Sequence, residues 1–96
     1  MKKDKYQHPV KIRITGTLDL HDYNPRDINP LIFEYIYQCK QKGLNNGRII
    51  HGKGIGTLRN IVHSILKQHE HVASFGICPV NEGGWGATFF TLKSKK

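Results

Sequence analysis

The segment Arg48-Ile49-Ile50-His51-Gly52-Lys53-Gly54-Ile55-Gly56-Thr57-Leu58-Arg59 changes character halfway along. Arg48 to His51 reads as a short strand, and three glycines then alternate with Lys53 and Ile55. From Leu58 onward the apolar residues Leu58, Ile61, Val62, Ile65 and Leu66 recur at helical spacing, leaving Arg59, Asn60, His63 and Lys67 for the outer side. A strand that turns through glycines into a helix turns the unpaired amides and positive dipole end of that helix toward any anion at the turn. Lys53 adds a mobile cation there, and Arg59 lies in the first helical turn.

Upstream, Thr17 to His21 reads as a strand with Leu18 and Leu20 on one face and Thr17, Asp19 and His21 on the other. Val10 to Ile14 forms a short leading strand in the same reading, broken off by Gly16. Asn24-Pro25 and Asn29-Pro30 compete as helix starts, and Ile28, Leu31, Ile32, Tyr35, Ile36 and Cys39 form one apolar stripe that ends at Gly43. Asn45-Asn46-Gly47 reads as a turn.

Downstream, Val72 to Cys78 is a strand, Pro79 to Gly86 a hairpin loop and Ala87 to Leu92 a final strand. The resulting order, βαβαββ, belongs to the α/β class. It predicts a two-layer α+β sandwich whose mixed four-stranded sheet carries both helices on one face. The first strands run parallel and the last returns antiparallel, with an open edge expected at Thr88 to Leu92. Ligand sites on such sheets form beyond the carboxyl ends of parallel strands, where Asp19-Leu20-His21 and His51-Gly52 both lie.

Length and charge narrow the classes. Ninety-six residues suffice for one modest core: a flexible basic tail over 1–9, a domain over 10–92 and a basic tail over 93–96. The net charge of +8 is concentrated at the two ends, +4 in residues 1–13 and +3 in residues 93–96, because residues 14 to 92 hold seven basic against six acidic side chains. Tails of this kind add salt-sensitive phosphate contacts or simply maintain solubility. With no apolar run long enough for a bilayer, no secretory core and two unpaired-looking cysteines, Cys39 and Cys78, the expectation is a cytoplasmic protein with reduced thiols and no membrane partner. No oligomeric state is assigned.

Two phosphate motifs fail. A nucleotide phosphate loop needs Ser or Thr where Gly54 stands, and the dinucleotide fingerprint needs wider glycine spacing than Gly52, Gly54 and Gly56 provide. No small-molecule cofactor is therefore expected. What remains is a loop able to hold phosphate beside Asp19 and His21, a carboxylate and an imidazole able to move a proton or to share a divalent metal. Trp85, between glycines, and Tyr23 are candidates for stacking on an unpaired base. His63, His69 and His71 do not share one helical face.

Three blocks then stand in one order: Leu18-Asp19-Leu20-His21, the run from Ile49 to Arg59, and Gly83-Gly84-Trp85-Gly86-Ala87-Thr88. Together they resemble the Smr (small MutS-related) domain over about residues 17–92. The resemblance implies a fold similar to the C-terminal domain of translation initiation factor three. It also implies a nucleic-acid partner, DNA or RNA, and a nicking endonuclease (phosphodiester hydrolase) activity, the alternative being a module that recognises branched DNA, structured RNA or a ribosomal surface without cutting. It makes Asp19, His21 and His51 the catalytic set and Gly52, Lys53, Gly54 and Gly56 the phosphate contacts, to which the reading of the residues adds Arg59 as a further phosphate contact and Trp85 as a base platform. Where the family has glycine after its L-D-L-H block, this chain has Asp22. That residue either repels a phosphate or joins Asp19 as a ligand for magnesium or manganese.

Overall fold

The computed structural model describes residues 16–54 and 56–93, the side chain of Asp22 excepted. The expectations for the two tails, the leading strand Val10 to Ile14, and Ile55 lie outside them. The chain runs β1 (Thr17–Asp19), α1 (Ile28–Gln41), β2 (Asn46–Ile50), α2 (Thr57–Gln68), β3 (Val72–Ile77) and β4 (Ala87–Leu92).

The strands form one sheet in the order β1-β2-β4-β3. β1 and β2 pair in parallel, as a strand-helix-strand crossover requires, while β4 pairs antiparallel with both β2 and β3. The expected edge at Thr88 to Leu92 is therefore corrected: β4 is an interior strand, with both of its sides already hydrogen-bonded. Its composition fits that position, since Ala87, Thr88 and Phe90 are all fully buried.

Register separates the two faces. Leu18 pairs with Ile49 and Ile49 with Thr88, and this row is buried beneath the helices. Thr17, Arg48 and Phe89 form the row of the opposite face. Leu31, Ile32, Tyr35 and Ile36 of α1 join Val62 and Leu66 of α2 in the core, and Tyr35 meets Phe90 edge to face at 6.1 Å. Cys39 and Cys78 are free, buried thiols.

Three local expectations change. The strand foreseen over Thr17 to His21 stops at Asp19, whose side chain caps a 3-10 turn over Leu20–Asp22. Asn24 caps a further 3-10 turn, Pro25–Asp27, that runs straight into α1, so neither competing start opens the α-helix itself. Asn46 and Gly47 are not turn residues but open β2. Gly47 is required there because a Cβ would stand 2.6 Å from Cζ of the buried Phe90.

The Pro79 to Gly86 segment is more than a hairpin connection. It holds two 3-10 turns and folds back over the open face, with Gly83 against the Ala87 methyl and the Glu82 carbonyl accepting from Arg48 Nη1 at 2.9 Å.

Candidate functional site

The site is assembled where β1 and β2 end together. At the end of β1, Asp19 Oδ1 accepts the backbone amide of His21 at 2.9 Å and lies 2.8 Å from His21 Nδ1. A carboxylate only accepts, so Nδ1 carries a proton and, in the neutral ring, Nε2 presents its lone pair outward. The amide bond is the main reason the Asp19 carboxyl is held below its ordinary value; partial burial opposes it, and the imidazole adds to it. The pair stays accessible, with side chains 65% and 46% exposed for His21 and Asp19.

The glycine loop lies directly against this pair. Gly52 has φ +86°, a left-handed conformation that L side chains rarely adopt, and a Cβ there would stand 3.3 Å from His21 Nε2. Gly54 and Gly56 also have positive φ, and Gly56 serves as N-cap of α2 with no side chain occupying the cap. The first amides of α2 are thus left to an incoming acceptor. Gly52, Lys53, Gly54 and Gly56 line a cleft of about 170 Å³. Lys53 and Gly54 are exposed along it.

The third block holds this loop in place. The Gly86 carbonyl accepts both the His51 and the Gly52 amides at 2.9 Å, and Gly86 packs on Gly52 and the Lys53 stem. Beside it Trp85, 63% exposed, receives the Arg59 guanidinium at 5.7 Å from its ring centroid. Arg59 curls back over Gly56, so a Cβ there would stand 2.6 Å from its Nη2. Lys53, Arg59 and Trp85 thus continue the surface that His21 begins.

His51 is placed differently from Asp19 and His21. It is only 4% exposed, with Nδ1 on the Gly52 carbonyl at 2.9 Å and Nε2 on Thr88 Oγ1 at 2.8 Å. Burial pushes its pKa down, the Gly52 bond opposes the shift and the Arg59 charge adds to it. His63, expected on the outer side of α2, instead points inward and bonds the same Thr88 oxygen at 2.8 Å. Burial lowers its pKa as well, followed by the charges of His51 and Arg59.

His63 and Thr88 are the residues that pattern reading passed over. A signal existed: Arg59 and His63 are four apart, so they share one ridge leading away from the loop. The other histidines separate from the site. His69 caps α2 and stacks on Phe33 at 4.5 Å, and His71 follows it. Tyr23 packs against the core.

Asp22 closes the 3-10 turn, and no described non-glycine residue has a positive φ, so this backbone does not call for the family's glycine. Among the described residues no group of three or more His, Cys, Asp or Glu side chains is gathered as a metal site. A larger concavity, about 880 Å³, lies elsewhere, between α1 and the end of α2, lined by Phe33, Tyr37, His69 and His71 with Glu34 and Glu70. Its lining brings no Lys or Arg, whereas the smaller cleft carries Lys53 and the start of α2, with His21 against its Gly52 wall. Chemistry, not volume, marks the latter as the site.

The comparisons bear on the family and the fold. The sequence profile described as "Smr domain" matches residues 18–93. The chain is 37% identical over 89 residues to a protein named Endonuclease MutS2 from Halothermothrix orenii and 42% over 76 residues to its counterpart in Brevibacillus brevis, covering 93% and 79% of this chain. It spans only about a tenth of those relatives, 11% and 10% of their lengths. The crystal structure of the Smr domain of Thermus thermophilus MutS2 superposes with a TM-score of 0.77 at 29% identity, covering 83% of this chain and all of that one. YdaL, a stand-alone small MutS-related protein from Escherichia coli, gives 0.70 at 29% identity over 82% of this chain and 65% of its own. With the three blocks joined at one site and the family profile matched over residues 18–93, this chain belongs to the Smr domain family.

Proposed function

We propose that this domain is a nicking endonuclease that binds the backbone of DNA or RNA and hydrolyses one phosphodiester bond at the junction of β1 and the glycine loop. The observation that carries the reading is the orientation of His21, whose proton is held on Nδ1 by Asp19 while Nε2 faces Gly52. A phosphate on the first amides of α2, with Lys53 and Arg59 balancing its charge, stands beside that lone pair. His21 Nε2 takes a proton from an attacking water, the water oxygen bonds to phosphorus, and the ester oxygen leaves with a proton from solvent. Asp19 stabilises the imidazolium that forms. His51 belongs to the wall of the loop, and Trp85 is the platform for an adjacent unstacked base.

The relatives named as endonucleases support the reaction class. Asp19, the expected metal ligand together with Asp22, already bonds His21 twice through Oδ1, and no step here is routed through magnesium or manganese. The free buried thiols and the lack of any described helix long and apolar enough to cross a membrane support a cytoplasmic setting. Asp22, a negative residue where the family has glycine, favours a second reading in which the same surface binds without cutting.

Supercoiled plasmid and a structured RNA, incubated with wild type and with the Asp19→Ala/His21→Ala double variant in magnesium, manganese and chelator, separate the two. Nicking by wild type alone establishes the endonuclease. Binding by both proteins with cleavage by neither establishes the recognition module.

A further inference from the structure

Behind the glycine loop lies a hydrogen-bonded chain that the reaction above does not use. Its direction follows from one end. The Gly52 carbonyl can only accept, so His51 donates from Nδ1. In the neutral ring Nε2 is then an acceptor, and Thr88 spends its single hydroxyl proton on it at 2.8 Å. The Thr88 oxygen in turn receives the Nε2 proton of His63, also at 2.8 Å. Three bonds, each fixing the next, link α2 through β4 to the first glycine of the loop.

The surroundings favour that protonation pattern. Thr88 is fully buried and His51 nearly so, which penalises a charged imidazole. With His63 protonated on Nε2, an imidazolium at His51 would aim two N–H groups at one threonine oxygen and turn the hydroxyl proton away from both rings. The rings stand 6.4 Å apart at 80°, leaving the threonine oxygen between them.

We propose that Thr88 and His63 are positioning residues for the site: they hold His51 in its neutral, Nδ1-protonated form, and His51 thereby fixes the Gly52 carbonyl and the loop that lies against His21. This rests on the reading of the loop as the phosphate contact. The hydroxyl of the late G-G-x-G-A-T block is, on this account, what connects that block chemically to the loop, in addition to the Gly86 carbonyl.

Long-range proton–nitrogen NMR spectra of the histidine rings, taken on the full chain near neutral pH, test the assignment directly. Wild type should show His51 protonated on Nδ1 and His63 on Nε2; a His51 ring protonated on Nε2 would overturn the proposal. Thr88→Ser should keep both patterns, whereas Thr88→Val should release the His51 tautomer and weaken binding of a single-stranded oligonucleotide about tenfold, the loss expected for one unmet buried hydrogen bond. Should the valine variant not fold, His63→Leu and His63→Gln decide the matter. Glutamine keeps an N–H donor and should restore both the His51 tautomer and the affinity that leucine loses. Equal affinity for leucine and wild type, or equal loss for leucine and glutamine, sinks the positioning role. Wild type that binds and cuts with the reversed tautomer refutes this inference alone. Wild type with the expected tautomers that neither binds nor cuts overturns the phosphate reading and, with it, the functional half of the inference.

Discussion

His21 is bonded to Asp19 Oδ1 twice, through its backbone amide at 2.9 Å and its ring Nδ1 at 2.8 Å, so one carboxylate oxygen fixes both the turn and the tautomer. Asp19→Asn keeps an oxygen for the amide but lacks the charge that stabilises the imidazolium. Cleavage should fall by about 10²- to 10⁴-fold, the usual range for a positioned acid–base group. Unfolding temperature and oligonucleotide affinity should change little, because the pair is largely exposed. Single-turnover nicking beside a thermal melt checks both.

Glycine substitutions should sort by space and backbone angle. Gly47→Ala drives a methyl into the Phe90 ring and should cost about 1–3 kcal/mol by overpacking, with little effect on the distant loop. Gly54→Ala, with open space around its Cβ and φ +32°, should be milder in stability. Gly52→Ala combines φ +86° with contact against His21 Nε2, so it should impair cleavage more than its stability loss accounts for. Urea unfolding and nicking rates, measured on all three, give the ranking.

Trp85 is the single tryptophan of the chain and is largely exposed. Its fluorescence should change on addition of single-stranded oligonucleotide, and Trp85→Ala should weaken binding by about 1–3 kcal/mol while leaving stability intact. Arg59→Gln should also lower affinity and reduce the slope of log affinity against log salt by about one. A salt slope unchanged by that substitution would remove Arg59 from the phosphate contacts.

Acid should destabilise the fold before it titrates ordinary carboxylates. His51, His63 and His69 are all held below the ordinary histidine value of 6.5, with burial the largest cause in each. Their folded pKa values are depressed, so below pH 6.5 the unfolded chain takes up protons that the folded chain refuses. Stability is therefore complete above that pH and declines as pH falls from 6.5 through the lowered folded values. Asp19, also depressed, adds a separate loss below its ordinary value of 3.8. Urea midpoints at about pH 7.5 and about pH 5 should show the first decline; a midpoint that rises on acidification would contradict it.

Much of this architecture was legible because apolar spacing registers burial directly. The stripes of α1 and α2 and the strand Ala87–Leu92 follow from side chains that must leave water. Asp19 and His21 were brought together by parity on a strand, yet the structure pairs them through a capped turn, which residue spacing alone does not distinguish from extended chain. The strand beginning at Asn46 was obscured by a dipeptide that ordinarily makes turns. Gly47 is there for the space Phe90 takes, a long-range demand invisible locally. His63 escaped for the same reason: its partner, Thr88, lies twenty-five residues away on a strand whose place in the sheet the sequence order does not reveal.

The placement of β4 between β2 and β3 has a consequence for the protein while it is being made. A ribosome that has delivered everything through Ile77 has released β1, β2 and β3 of the sheet, but β3 has no neighbouring strand and β2 has one side bare. The Gly86 carbonyl and Thr88 hydroxyl that hold the loop are also still to come. The nascent domain therefore cannot complete its loop before β4 has joined the sheet, so this surface is acquired last, together with the fold as a whole.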